Sequence, residues 1–452
     1  MSNATAPCQT VSSSDHESID SEIEAKAEKI EYAISKHDKK QLRELSVSKY
    51  GLVSTELRAK SWPILIGCHL DEEDTDNVEG KSSSPDSVSS RYLARHRDEP
   101  QVQKDVDRSF VHFPKAMSEQ REKELKQLLS RLIVRMLREV PELNYYQGYH
   151  DVASVVAIVY GDDEQVAFKF LYKLTLEYLR DHMLQDVYPT TAQLRLIPGI
   201  VLHMDGQLGN IVKIVSPVHA ISAIITLFAH DLDNFDHVCL LWDSIFAQRD
   251  PALPLYLYSA LLVEFKRPIL NQLEELEPGF STNASCQINK DYIHAVLNRA
   301  VAQNLNGMDP NAATECIFSA ITATISLERE FPFTKMDCSH SISRFSCLRH
   351  RKAAAKMLDL QCAEVRMELG KRHRREKVVR RLKLVTAYGR SVVGSVGKMP
   401  LPLKLSLGVG LVTILIGLST DRNVGNLPHW LSKAGKSTNT ALGSILDSLR
   451  RR

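Results

Sequence analysis

The chain has 452 residues and a net charge of +2, and its 43% hydrophobic and 25% charged content is the ordinary balance of a globular core. Its 20 glycines argue against a turn-rich all-β design, and the polar opening from Met1 to Ser21, with no apolar run, is not expected to act as a secretory signal. The eight cysteines are scattered without a Cys-x-x-Cys pair, as expected of reduced, packed thiols rather than a disulfide framework.

In chain order, residues 1–21 have the composition of a disordered segment. Residues 22–46 are charged and helix-favouring, and Arg58 and Trp62 follow in an apolar-rich stretch that ends near Cys68. Residues 69–90 are acidic, then serine-rich, and lack periodicity, which predicts a long surface loop. Val102, Asp105 and Arg108 come next at spacings of three, so on a helix Asp105 and Arg108 share a face. Taken alone, that pair reads as a surface ion pair.

Between Ser118 and Val140, apolar residues recur at 125, 128, 129, 132, 133, 136, 137 and 140. These steps of three and four predict an amphipathic helix that ends at Pro141. The segment Tyr145-Tyr146-Gln147-Gly148-Tyr149-His150-Asp151 follows, and by itself reads as an aromatic connector in which glycine gives backbone freedom. The apolar run Val152–Tyr160 predicts a buried helix stopped at Gly161. Asp162 or Asp163 caps the next helix, expected to run through Leu179. Residues 211–229, broken at Pro217 and interrupted by His219 and His230, read as a buried core helix too short to span a membrane. Residues 238–265 are also helical by pattern, and 267–350 carry weaker helical signals. Cys338, His340, Cys347 and His350 have zinc-like content, but their spacing matches no common finger and they read as loop residues. With few alternating segments competing, the body is expected to be all-α.

The C-terminal part differs in character. Residues 371–452 hold 17 lysines and arginines against three acids, which leaves −12 on residues 1–370. An acidic body with a basic tail predicts an anionic partner for the tail. Ten of those basic residues fall in 371–398, directly before a 22-residue stretch, 399–420, whose one charge is Lys404. An apolar stretch of that length behind a basic run predicts membrane insertion and lipid contact, with no nucleic-acid motif beside it. The last segment, 421–452, is basic as well, so a span, a hairpin and an in-plane insertion all stay open.

No self-contained catalytic set is present: there is no P-loop, no Gly-x-Ser-x-Gly elbow and no His-Glu-x-x-His. His150 and Asp151 are neighbours without a placed nucleophile. Read together, however, three signatures resemble those of the TBC family of Rab GTPase-activating proteins. An Arg-x-x-x-Trp pattern is met by Arg58 and Trp62, and Ile-x-x-Asp-x-x-Arg by Val102, Asp105 and Arg108. Tyr-x-Gln-Gly-x-x-Asp is met by Tyr145, Gln147, Gly148 and Asp151, with a later Leu-Trp-Asp at Leu241, Trp242 and Asp243. The similarity runs from about Val47 to about Phe265, inside a helical domain bounded at 22–330, with a linker at 331–398.

The resemblance implies a two-lobed helical TBC domain that acts on a Rab-family GTPase in its GTP-bound state. Arg108 would be an arginine finger that neutralises transition-state charge, and Gln147 a glutamine finger that orients the attacking water. Asp105 would hold Arg108, while Tyr145, Gly148 and Asp151 support the site, and Arg58, Trp62, Trp242 and Asp243 are structural. No cofactor of its own is implied, because the GTPase holds GTP and Mg2+. The membrane segment resembles that of the subgroup tethered at the endoplasmic reticulum, which places the domain on the cytosolic side of an early secretory membrane. The competing expectation is a non-catalytic Rab-binding or membrane scaffold that keeps the fold.

Overall fold

The computed structural model describes residues 13–68, 94–111, 113–114, 117–278, 289–351 and 354–396. Among them there are helices and turns but no strand. The chain divides into a compact unit through Val365 and a second unit from Arg366. The predicted loop 69–90 and membrane segment 399–420 lie outside the described residues.

The first helices are α1 (Ser13–Ser35), α2 (Lys39–Ser46) and α3 (Thr55–Ile66). The start of α1 lies inside the opening stretch whose composition predicts disorder. α4 (Glu99–Asp107), α5 (Glu119–Glu139), α6 (Tyr149–Tyr160) and α7 (Glu164–Leu174) pack in sequence against one another, with α6 also touching α3. α5 matches its predicted pattern: Leu125, Leu128, Leu129, Leu132, Ile133, Met136 and Leu137 are its buried residues. Ser118 caps it through Arg121 N, and Asp163 caps α7 through Gln165 N and Val166 N.

The helix expected to reach Leu179 changes form after Leu174, with a π turn over Thr175–Leu179. Thr175 Oγ1 donates to Leu171 O at 2.7 Å and accepts from Tyr149 Oη at 2.6 Å. A side-chain hydroxyl inserted beside the ladder loosens that turn. Short helices follow: α8 (Tyr188–Leu194), α9 (Ile197–Met204), α10 (Gly206–Val212) and α11 (Ile221–Ile225). The core helix expected over 211–229 is therefore split. Pro217 opens a 3-10 turn between α10 and α11, and Leu227 and Phe228 adopt left-handed φ values of 49° and 68°. α12 (Phe235–Gln248), α13 (Leu253–Glu264), α14 (Lys266–Leu276), α15 (Lys290–Gly307) and α16 (Pro310–Glu330) complete the helical body. α17 (Ala354–Val396) crosses from the first unit into the second.

The centre of the first unit explains two of the signatures. Asp243 on α12 is fully buried, and its Oδ2 accepts from Leu52 N at 2.9 Å and Arg58 Nε at 3.2 Å. Its Oδ1 accepts from Trp62 Nε1 at 2.7 Å. Arg58 is 2% exposed. The Trp62 ring lies 5.5 Å from Trp242, 5.3 Å from Phe246 and 6.0 Å from Phe170, so α3, α7 and α12 meet in one aromatic cluster. A second buried pair secures the segment after α16. Arg180 Nη2 donates to the Phe345 and His350 carbonyls, and Asp181 accepts from Gln193 Nε2, Cys347 N and Gln361 Nε2. Of the four Cys/His residues with zinc-like content, Cys338 Sγ bonds the Arg195 carbonyl, His340 Nδ1 pairs with the Asp337 carbonyl and Cys347 lies beside Asp181.

Candidate functional site

The site is built where the C-terminus of α4 meets the N-terminus of α6. Lys126 Nζ donates to Asp107 O at 2.9 Å and Ser109 Oγ to Asp105 O at 2.9 Å, which satisfies late carbonyls of α4. Phe110 then turns the chain with φ 65°. Arg108 is left at the helix end, 54% exposed, with Nη2 held by Asp105 Oδ1 at 2.7 Å. Its other N–H groups have no partner among the described residues.

Asp105 itself is buried and saturated. Besides Arg108 it accepts from Gln101 Nε2 at 3.1 Å and from Tyr145 Oη at 2.8 Å. A buried carboxylate with that many donors holds a fixed position, so the guanidinium it carries is aimed rather than free to wander. Burial, with Asp105 beside it, keeps the Tyr145 phenol well above its usual range and therefore a donor.

The Gln147 loop is held by three tyrosines. Tyr145 reaches Asp105, Tyr146 Oη donates to Ile225 O at 2.6 Å, and Tyr149 bonds Thr175 in the π turn after α7. Gly148 lies between them with φ 110°, and a Cβ there would stand 2.9 Å from Thr226 Cγ2. Both the backbone angle and the space demand glycine. Gln147 is exposed, and its amide has no hydrogen-bond partner among the described residues. Arg108, Gln147, His150, Asp151 and His230 all line one cleft of about 250 Å³.

Behind Arg108 and Gln147 runs a chain of titratable groups. His150 Nδ1 lies 3.3 Å from Gly148 N and 3.2 Å from Tyr145 Oη, and its Nε2 faces Asp151 Oδ1 at 3.3 Å. Burial lowers the His150 pKa and keeps it neutral. Asp151 Oδ2 accepts from His230 Nδ1 at 2.8 Å, and that hydrogen bond raises the His230 pKa.

The arrangement of Arg108, Asp105, Gln147 and Gly148 coincides with a recognised domain: residues 55–270 match the family model described as the Rab-GTPase-TBC domain. Residues 55–270, just under half of the chain, carry that domain. It is 30% identical over 233 residues to TBC1 domain family member 20 of Homo sapiens, which is 51% of this chain and 54% of that protein. It is 29% identical over 283 residues to GTPase-activating protein GYP8 of Saccharomyces cerevisiae, 56% of this chain and 54% of that one. GTPase-activating protein gyp10 of Schizosaccharomyces pombe is 26% identical over 336 residues, with 73% and 79% covered. The chain thus spans about half the length of the human and budding-yeast relatives it matches. Among solved structures, the Chlamydomonas flagellar RabGAP TBC domain aligns at a TM-score of 0.45 and 15% identity, over 70% of this chain and 96% of that one.

Within the TBC domain the sequence signatures separate into two places. Asp105, Arg108, Tyr145, Gln147, Gly148 and Asp151 gather at or directly behind the cleft, while Arg58, Trp62, Trp242 and Asp243 lie in the core. The sequence reading missed His230, Ser154 and Ala229 as cleft residues. His230 registered only as a polar break in an apolar run, and its one local signal was that such a break costs burial unless the side chain is partnered.

Proposed function

We propose that this TBC domain accelerates GTP hydrolysis by a Rab-family GTPase in its GTP-bound state, with Arg108 and Gln147 supplied in trans. The observation that carries this reading is that two side chains from separate elements open into one cleft, Gln147 with its amide uncommitted and Arg108 with every N–H uncommitted save the one held by Asp105. GTP and Mg2+ belong to the GTPase, and the chain needs no cofactor of its own. The planar guanidinium of Arg108 spreads charge across phosphoryl oxygens in a geometry that suits bidentate contact. Such a finger is worth on the order of 10³–10⁵ in rate. The Gln147 amide carries both a donor and an acceptor, which is what aligning a water between an enzyme and a phosphorus atom requires. Asp105 and Tyr145 position Arg108, and Gly148 shapes the turn that presents Gln147.

We place this activity on the cytosolic face of an early secretory membrane, the endoplasmic reticulum foremost. The support is the basic run 371–398 and the short uncharged stretch behind it. Among the described residues, no single helix is long and apolar enough to cross a membrane. The reading is tested by single-turnover GTP hydrolysis across a panel of Rab-family GTPases, using the intact chain in detergent. Acceleration of one or a few GTPases, lost in both Arg108→Ala and Gln147→Ala, is the expected result. Equal acceleration by either variant removes that residue from the mechanism.

A further inference from the structure

The wall of the cleft facing the two fingers is made by a short turn that the signatures do not include. Leu227 and Phe228 are consecutive non-glycine residues in the left-handed region, a conformation that persists only where its surroundings impose it. Here they do: Trp242 Nε1 donates to Leu227 O at 2.9 Å, Phe228 is fully buried, and His230 N donates to Thr226 Oγ1 at 3.3 Å. The same turn meets the Gln147 loop, through Tyr146 on Ile225 O and Thr226 against Gly148. The outcome of this forced geometry is the placement of one polar side chain, His230, in the cleft with Arg108 and Gln147.

His230 is 58% exposed, yet it is fixed by the 2.8 Å bond from Nδ1 to Asp151. Its Nε2 has no partner among the described residues. With Nδ1 committed as a donor, Nε2 bears a proton only in the imidazolium form, so the outward donor and the positive charge exist together.

We propose that His230, aimed by Asp151, is a further contact residue of the TBC domain, donating from Nε2 to an anionic oxygen of the bound GTPase complex. That oxygen belongs either to a nucleotide phosphate or to a carboxylate of the GTPase. The inference rests on the proposed GTPase-activating reading. The charged and titratable groups facing His230 are Asp151 and His150 on α6, Arg108 at the end of α4, and Asp231 on its own turn. Asp151 raises the imidazole pKa above its ordinary value while Arg108 opposes it. The contact is therefore complete at low pH and lost as pH rises through that raised pKa.

The test is the dependence of the single-turnover rate on the concentration of intact chain, from about pH 6 to about pH 8.5. His230→Asn keeps a donor to Asp151 and deletes the outward one; His230→Gln places a neutral amide donor where Nε2 stood. At the lower pH, His230→Asn should raise the half-saturating concentration roughly tenfold, the scale of a charge-assisted hydrogen bond, with little change in the maximal rate. His230→Gln should recover part of the loss and flatten the pH profile. In a binding measurement, an affinity loss seen equally with nucleotide-free GTPase and GTPase loaded with a non-hydrolysable GTP analogue assigns the acceptor to a carboxylate; a loss confined to the latter assigns it to phosphate. If His230→Asn matches the wild type while Arg108→Ala is inert, the contact is overturned and the activating reading stands. If the wild type accelerates no GTPase, both are overturned.

Discussion

Asp105 lies buried beneath Arg108 and accepts hydrogen bonds from three side chains at once, so what the Arg108 guanidinium can reach is set by what it stands on. One edge of the guanidinium is used by Asp105 Oδ1, and a fork with five donors keeps enough in reserve to span two phosphoryl oxygens. An ammonium cannot divide itself in this way. Lysine would satisfy Asp105 as a point charge or reach toward phosphate, but its flexible stem gives no second planar edge. Arg108→Lys is therefore expected to fall within about tenfold of Arg108→Ala, well below the 10³–10⁵ that an arginine finger contributes. Single-turnover hydrolysis measures it, and a lysine variant near the wild-type rate would show that charge alone suffices and that the bidentate role is wrong. The same scale accounts for what the sequence could not convey. Asp105 and Arg108 are three apart, and local spacing makes them an ordinary surface pair. The burial that raises their importance comes from Tyr145, forty residues on.

The elements show a similar division between what is local and what is not. α5 was legible residue by residue, because its apolar steps, its Ser118 cap and Pro141 all lie within one stretch of chain. The segment from Thr175 to His230 was not. Its π turn depends on a hydroxyl from α6, and its left-handed bend depends on a tryptophan from α12. The Leu-Trp-Asp signature was readable as a pattern, whereas its physical reason, one buried carboxylate serving Leu52, Arg58 and Trp62, spans almost the whole domain. The N-terminal turn of α6 joins both kinds. Gly148 is visible in the sequence, and the requirement for it comes from Thr226. Alanine there would have to keep φ near 110° and intrude on a methyl group at 2.9 Å. The expected cost is roughly 1–3 kcal/mol of stability, together with displacement of the loop that presents Gln147. Gly148→Ala should accordingly lower the maximal hydrolysis rate towards that of Gln147→Ala. Thr226→Ser, which removes the methyl, should restore the part of the loss due to contact and leave the part due to φ. Thermal unfolding and single-turnover rates together read the two parts. A Gly148→Ala chain with unchanged rate would mean that the position of Gln147 is not set by this turn.

At the scale of the whole molecule, charge is divided along the chain, with −12 through residue 370 and +14 beyond it. In the second unit, Lys371, Arg372, Arg374, Arg375, Lys377 and Arg380 are all exposed on α17. Each such residue near an anionic bilayer is worth about 1 kcal/mol, so on such a surface the run would be a strong electrostatic anchor in its own right. The apolar stretch 399–420, outside the described residues, would add an anchor of a different kind, because hydrocarbon burial does not respond to screening. Salt separates the two. Raising it from about 0.1 M to about 1 M shortens the screening length from about 10 Å to about 3 Å and dissolves purely electrostatic attachment. Residues 371–452 fused to a fluorescent protein should float with anionic vesicles at both salt concentrations. With the six basic residues changed to glutamine, the fusion should still float but lose its preference for anionic over zwitterionic vesicles. If high salt alone strips the unmodified fusion, the stretch 399–420 does not insert, and the tail is a peripheral electrostatic tether. If the fusion stays soluble with every vesicle, the membrane assignment fails, and the basic tail must answer to an acidic macromolecule instead.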